Sequence, residues 1–261
     1  MEKGYHLRTE MLQTMRSKLL WLIIGMISFG CASDDPLDII GPGDGIVGVA
    51  GSTSRFVIND NYLYIVTETD LKVIELEANG QSSLVRSMPA VDVLETIFIY
   101  GDYLFLGAQE GVYIYDISEP DLPSYISKYV HQTACDPIIA SGGFAYLTLR
   151  DGTNCRNQSE NFLITLDISD IGQPVAVDTI VMSRPRGLGI YNGDLYVGEG
   201  IYGLKKFDIS TPYEPKLDTF YTDIPCNDLI GLSSHLIITY KHAISQFLVD
   251  SDTLTELSII Q

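Results

Sequence analysis

Three carboxylic acids, Glu95, Asp136 and Asp228, lie within one residue of matching positions in a repeated pattern and are best suited to acid–base chemistry. Two carboxyl groups held about 5 Å or about 6.5–9.5 Å apart across a cleft can hydrolyse a glycosidic bond. These residues therefore predict a polysaccharide hydrolase or lyase as one function. No aromatic residue accompanies them to stack on a sugar ring. That favours the other hypothesis, a non-catalytic scaffold that binds a protein or a glycan.

Other motifs of enzyme chemistry are missing from the sequence. It contains no nucleophile elbow, no HExxH zinc motif and no Walker loop, and its four histidines form no recognisable relay. Gly43–Gly48 satisfies the GxGxxG pattern, but no strand–helix unit surrounds it. No cysteines or histidines have the spacing of zinc ligands. The sequence thus predicts no metal and no cofactor, and it assigns no catalytic residue.

A sequence repeat positions the three carboxylic acids. Five residue pairs mark the repeat: Leu63-Tyr64, Leu104-Phe105, Ala145-Tyr146, Leu195-Tyr196 and Leu236-Ile237. Their second members are 41, 41, 50 and 41 residues apart. Such a steady period is typical of a protein built from one copied unit. The acidic residues Asp116, Asp167 and Asp208 recur at one position of the repeat. We expect each of them to cap the turn that follows it rather than to act in catalysis.

Each unit predicts four short antiparallel strands, because β-branched and aromatic runs alternate with Gly, Asn, Asp and Pro. A lone four-stranded meander cannot bury both faces, and radial repetition covers them. We predict an all-β fold, a five-bladed β-propeller of four-stranded antiparallel blades over residues 53–261, in preference to a stacked β-solenoid. The blades are expected near residues 53–93, 94–134, 135–184, 185–225 and 226–261.

Three segments share a sequence pattern that ends in Asp-Ile-Ser: Gly111–Ser118, Phe162–Ser169 and Gly203–Ser210. Together with the Leu-Tyr pairs they resemble the LVIVD-repeat β-propeller lipoproteins of Bacteroidota-type bacteria. The resemblance covers roughly residues 53–261 and is closest in blades two to four, since terminal repeats commonly depart from the pattern. It implies a propeller in the cell envelope, and it implies no defined activity.

Residues 1–30 predict a signal peptide. Arg16 and Lys18 precede the apolar run Leu19–Gly30, which is too short to span a membrane, and Cys31 follows directly. This order resembles a bacterial lipoprotein signal, in which Cys31 becomes the lipidated, palmitate-bearing first residue of the mature protein. An uncleaved N-terminal anchor is the alternative. The translation start stays open between Met1, Met11 and Met15.

Residues 31–52 are predicted to be the lipidated cysteine followed by a flexible acidic and glycine-rich tether. Ala32–Pro36 resembles the acidic tag that sends Bacteroidota lipoproteins to the cell surface, and a plain solvated linker is the alternative. The predicted location is therefore the outer membrane, where acyl chains anchor the protein through about 0.8 kcal/mol per buried methylene.

The charge of the mature chain limits its partners. Beyond residue 30 the chain keeps 12 basic and 32 acidic residues, a net charge of −20. Phosphate backbones and anionic lipid head groups would be repelled. We therefore predict no nucleic-acid partner, with the lipid anchor as the membrane contact, and the oligomeric state is left open.

Three cysteines remain once Cys31 is lipidated. Cys155 lies in the nine or ten extra residues of blade three, and Cys135 precedes the first strand of that blade. The envelope is oxidising outside the inner membrane, so we predict a Cys135–Cys155 disulfide. A Cys155–Cys226 bridge and three reduced thiols are the alternatives.

Two positions at the start of each blade break the repeat: Ser54-Arg55, Glu95-Thr96, Asp136-Pro137, Arg186-Gly187 and Asn227-Asp228. Structural positions repeat while functional positions vary, and loops displayed on a rigid scaffold commonly carry binding. With neighbouring loop residues they define the candidates for a ligand-binding face: Arg55, Glu95, Asp136, Arg150, Arg156, Arg186, Asp228, Lys241 and His242.

Overall fold

The computed structural model describes residues 51–131, 137–150 and 160–261. These residues form twenty strands in five separate four-stranded antiparallel sheets, each made of strands consecutive in the chain. The prediction of a five-bladed β-propeller is confirmed, and the β-solenoid alternative is wrong. Within the described ranges, no helix has the length and hydropathy that crossing a membrane requires.

The strands follow one another from the inside to the outside of each blade. Blades one and two contain β1 (Phe56–Asn59), β2 (Tyr62–Val66), β3 (Asp70–Leu76), β4 (Ser82–Pro89), β5 (Leu94–Tyr100), β6 (Tyr103–Ala108), β7 (Gly111–Asp116) and β8 (Ser124–Val130). Blades three and four contain β9 (Ile138–Ser141), β10 (Phe144–Leu149), β11 (Asn161–Asp167), β12 (Val175–Met182), β13 (Leu188–Tyr191), β14 (Asp194–Gly198), β15 (Leu204–Asp208) and β16 (Lys216–Tyr221). Blade five contains β17 (Asp228–Gly231), β18 (Leu236–Tyr240), β19 (Ala243–Asp250) and β20 (Thr253–Ile260).

Local sequence explains the tight turns and the twist. Asn192 and Gly193 both adopt positive φ, of 52° and 83°, between the paired residues Tyr191 and Asp194. Two such φ values define the hairpin turn whose twist suits antiparallel strands. Each blade also carries one register shift between its third and fourth strands, which bends the outer strand.

The repeated aspartates cap turns, as predicted. The Oδ1 atoms of Asp116, Asp167 and Asp208 accept hydrogen bonds from the backbone N–H groups two residues later, at 2.7, 2.9 and 2.7 Å. Hydrogen bonds to the serine that follows each one hold the pKa of these carboxyls below its usual value. Their role is to fix the turn after the third strand.

Among the polar contacts between neighbouring blades, a hydroxyl on the second or fourth strand of one blade donates to a turn of the next blade. The Tyr64 hydroxyl donates to the Pro120 carbonyl at 2.8 Å, and the Tyr146 hydroxyl donates to the Pro212 carbonyl at 3.0 Å. Phe105 lacks a hydroxyl, and the Ser127 hydroxyl instead donates to the Ile171 carbonyl at 2.6 Å. Burial raises the pKa of both tyrosines, so their hydroxyls remain donors.

Replacing Tyr64 by phenylalanine should therefore lower the free energy of unfolding by about 1 kcal/mol, the usual value of one lost hydrogen bond. Chemical denaturation with a Tyr125→Phe control measures this, because the Tyr125 side chain is exposed on β8. Equal stability of the Tyr64→Phe variant and the parent would show that the contact does not hold blade one to blade two.

Candidate binding face

The variable positions lie at one end of the propeller, which we call the top face. It comprises the loops that lead into each first strand and the loops that join second and third strands; the opposite end is the bottom face. Arg55, Glu95, Arg186 and Asp228 lie at the starts of first strands, and Arg150 follows β10. Lys241 and His242 form the turn between β18 and β19 and are exposed.

Several sequence predictions lie outside the described residues. They are the lipidated Cys31, both partners of the predicted disulfide, and two ligand-face candidates: Cys135, Cys155, Asp136 and Arg156. Cys226 is described and is a free, buried thiol whose pKa is raised mainly by burial. A buried thiol with a raised pKa is unreactive, so Cys226 is a packing residue.

Asp228 holds the chain segment that enters the propeller. Its carboxylate accepts a hydrogen bond from the Ser52 hydroxyl at 3.1 Å and another from the Thr53 hydroxyl. The backbone N–H of Leu229 adds a third at 3.0 Å. Burial raises the pKa of Asp228, and these hydrogen bonds partly oppose the shift. Both oxygens of this carboxylate are therefore engaged.

The segment Gly51–Ser54 contacts three blades. The Ser52 hydroxyl accepts a hydrogen bond from the backbone N–H of Leu188 at 2.7 Å, and the Ser54 carbonyl accepts one from Ile97 at 2.9 Å. A Cβ atom on Gly51 would collide with the Asp228 carboxylate, so this close approach requires glycine. Sequence reasoning missed this segment, because Gly, Ser and Thr before a strand carry no distinctive signal.

Glu95 and Arg55 lie together beside blades one and two. The Arg55 guanidinium donates to the Leu94 carbonyl at 3.0 Å, and its charge favours the ionised form of Glu95. Burial is nevertheless the largest influence and raises the pKa of the Glu95 carboxyl, while a hydrogen bond with Gln109 opposes the rise. The two side chains form a mixed-charge pair at the edge of the top face.

Glu199 is a buried acid with a structural partner. Its Oε1 atom accepts hydrogen bonds from the Lys205 ammonium at 2.8 Å and from the Ser183 N–H at 3.0 Å. Its side chain is completely buried, whereas Lys205 is slightly exposed. Asp92 and Glu110 similarly face Lys128, at 3.9 and 3.5 Å. Two lysines thus face three of the top-face acids.

Among the described loops, lysines and arginines occur only at the top face. The described top-face loops contain Arg55, Arg150, Arg184, Arg186 and Lys241. The bottom-face loops, all within the described residues, contain no lysine or arginine. They contain these acids instead: Asp60, Glu77, Asp102, Glu119, Asp121, Asp170, Glu214 and Asp252. The described top-face loops also contain acids, so the top face is mixed in charge whereas the bottom face is acidic; these acids are Glu68, Asp92, Glu110, Glu160, Glu199 and Asp223.

Two of these basic groups have no counter-charge in the described parts of the chain. Arg184 and Lys241 are exposed, and neither forms an ion pair with a described residue. Arg184 was missed by sequence reasoning, although the run Arg184-Pro185-Arg186 precedes a first strand and could have drawn attention to it. No group of three acidic, histidine or cysteine side chains that could hold a metal occurs among described residues.

Comparison with known proteins supports the fold. The LVIVD repeat family model matches residues 50–78 and 95–130, in blades one and two. The sequence pattern had instead predicted the closest resemblance in blades two to four. No curated protein matches the sequence. The match supports a repeat β-propeller family.

Solved structures share the architecture at low identity. A functionally unknown protein from Desulfotomaculum acetoxidans is 12% identical with a TM-score of 0.63, over 87% of this chain and 74% of that chain. A periplasmic gluconolactonase from Pseudomonas aeruginosa is 13% identical with a TM-score of 0.58, over 77% of this chain and 67% of that one. At this identity the likeness shows the fold alone.

Proposed function

We propose that the protein is a lipid-anchored protein of the outer membrane whose propeller is a non-catalytic scaffold. Its top face binds a protein or a glycan through an anionic group such as a carboxylate or a sulfate. The observation that carries this proposal is the asymmetry of the described loops: all of their lysines and arginines lie at the top face, where acids accompany them, and the charged residues of the bottom face are all acids. The top face is therefore the end of the propeller whose loops offer cationic groups to an anionic ligand.

The catalytic alternative, a polysaccharide hydrolase or lyase, needs two carboxyl groups free to meet a substrate. Asp228 is bound to Ser52, Thr53 and Leu229, which suits it to fixing the segment Gly51–Ser54. Asp136 lies outside the described residues, so Glu95 has no established catalytic partner. The likeness to a gluconolactonase is a likeness of fold and adds no catalytic residue.

Charge reversal at the top face tests the proposal. Arg184→Glu with Lys241→Glu should weaken binding to anionic members of an oligosaccharide and acidic-peptide array by at least about tenfold, because both attractions become repulsions. Binding should also weaken as salt rises towards about 0.5 M. The matched control is Lys216→Glu, an exposed basic residue at the start of the outer strand β16, next to the bottom face, which should leave binding unchanged.

Two results would contradict the proposal. Equal weakening by Lys216→Glu would mean that net charge, and not the top face, governs binding. Release of sugar fragments from a polysaccharide by the parent protein, lost on Glu95→Gln, would establish the catalytic alternative.

A further inference from the structure

The turn that joins the second and third strands of blade four departs from its counterparts. In blades one, two and five the corresponding top-face loops contain only polar residues: Thr67-Glu68-Thr69, Gln109-Glu110 and Lys241-His242. Blade four instead has Ile201 and Tyr202, which we call the apolar tip, and their side chains are 64% and 48% exposed. Turn chemistry favours Gly, Pro, Asn, Asp and Ser, so it gives no reason for two adjacent bulky side chains in water.

Backbone hydrogen bonds fix this turn. The Glu199 N–H donates to the Gly203 carbonyl at 2.8 Å, and the Tyr202 N–H donates to the Glu199 carbonyl at 3.2 Å. Gly200 and Cys226 exchange two further backbone hydrogen bonds, of 2.7 and 2.9 Å, which tie the turn to the entry of blade five. The turn therefore presents the apolar tip on an ordered backbone, which lowers the entropy that a binding partner must overcome.

The buried Glu199 carboxylate holds this turn beside the loop that carries the arginines of blade four. Its Oε1 atom accepts the hydrogen bond from the backbone N–H of Ser183, and the exposed Arg184 follows Ser183 directly. The Arg186 side chain lies against the turn itself, since a Cβ atom added to Gly200 would come within 2.8 Å of the Arg186 Nε atom. Two arginines therefore lie next to the apolar tip.

The residues around the apolar tip favour a protein partner with acidic side chains. Neither Arg184 nor Arg186 forms an ion pair with a described residue, and the exposed acid Asp223 lies on the adjoining loop, so arginines outnumber acids here. Aromatic and arginine side chains are enriched where proteins bind one another. A sugar could stack on the Tyr202 ring, but it has little apolar surface with which to cover Ile201.

We infer that the apolar tip, Arg184 and Arg186 form one docking site for an acidic protein segment that carries bulky apolar side chains. This inference rests on the proposed binding role of the top face and commits that role to a protein rather than a glycan. The apolar side chains of the partner cover Ile201 and Tyr202. Its carboxylates pair with the two guanidinium groups, whose planar fork matches a carboxylate through two hydrogen bonds.

Binding of synthetic peptides to the full chain tests this inference. Two peptide pools carry equal numbers of Asp and Glu residues, and one pool has Leu and Phe where the other has Ser. The parent should bind the acidic apolar pool at least about tenfold more tightly than the acidic polar pool. Ile201→Ser with Tyr202→Ser should abolish that preference and leave the binding of the acidic polar pool unchanged. The matched control, Leu122→Ser with Tyr213→Ser at exposed residues of bottom-face loops, should preserve the preference.

Each other outcome overturns the docking site. Equal binding of the two pools, weakened by Arg184→Glu with Lys241→Glu, would leave the top face as an anion-binding face without an apolar site. Tighter binding of uronic-acid oligosaccharides than of either pool would identify a glycan as the partner. Loss of the preference in the bottom-face control would show that apolar contacts are not confined to the tip. Failure of the parent to bind any of these anionic probes would overturn the proposed function as well.

Discussion

Replacing Lys206 by alanine should lower the free energy of unfolding by about 2–3 kcal/mol. The Lys206 ammonium lies 2.8 Å from Asp218, 2.8 Å from Asp252 and 3.3 Å from Asp194. Burial opposes its charge, yet hydrogen bonds to these three carboxylates outweigh burial and raise its pKa above the ordinary value. Its removal would leave three acids facing one another between blades four and five.

The expected loss is smaller than the about 3–5 kcal/mol of a fully buried broken pair, because Asp218 and Asp252 are partly exposed to water. Lys216→Ala is the matched control, since its contact with Glu214 at 3.8 Å joins two exposed side chains and should contribute less than about 1 kcal/mol. Denaturant unfolding measures both variants. High salt should reduce the deficit of Lys206→Ala by screening the repulsion. A loss no larger than that of Lys216→Ala would show that the cluster does not join the blades.

Replacing Cys31 by alanine should abolish labelling with palmitate and leave an unprocessed precursor. Without acyl chains the protein loses about 0.8 kcal/mol of membrane affinity for every buried methylene, and the acidic mature chain has no other predicted membrane contact. Metabolic labelling followed by membrane fractionation measures both effects. Cys226→Ala is the control, because that thiol is buried in the propeller.

Unchanged labelling of the Cys31→Ala variant would refute the lipoprotein prediction. Replacing Asp34 and Asp35 by alanine in the lipidated protein separates anchoring from surface display. If the acidic pair directs the protein to the cell surface, its replacement should reduce digestion by external protease without changing palmitate labelling. Equal digestion would identify the pair as linker.

Repetition explains why the fold was predictable. A period of about 41 residues, with Leu-Tyr pairs and Asp-Ile-Ser ends, required one unit to bury its faces against copies of itself. The turn role of Asp116 also followed from local chemistry, since an aspartate can accept the N–H two residues later without help from distant residues. These features depend on spacing and neighbours along the chain.

The candidate face was predictable only in part. Departure from the repeat indicated Arg55, Glu95 and Asp228, and the structure places all three at the top face. Lys206 also departs from the repeat, but it joins blades four and five instead of serving a ligand. Departure therefore indicates a special environment, and the environment itself depends on which side chains lie opposite.

The number of blades, their antiparallel strands and the end of the propeller that varies could all be predicted, because each follows from a local pattern. The contacts of Asp228 with Ser52 and Thr53, partners 176 and 175 residues away in the chain, became visible only in the folded protein. The same holds for Phe56, which is exposed while Ile97, Ile138, Leu188 and Leu229 at the equivalent positions are buried. Burial and hydrogen bonding depend on contacts between distant segments, and a repeated pattern does not specify what lies beside its first and last copies.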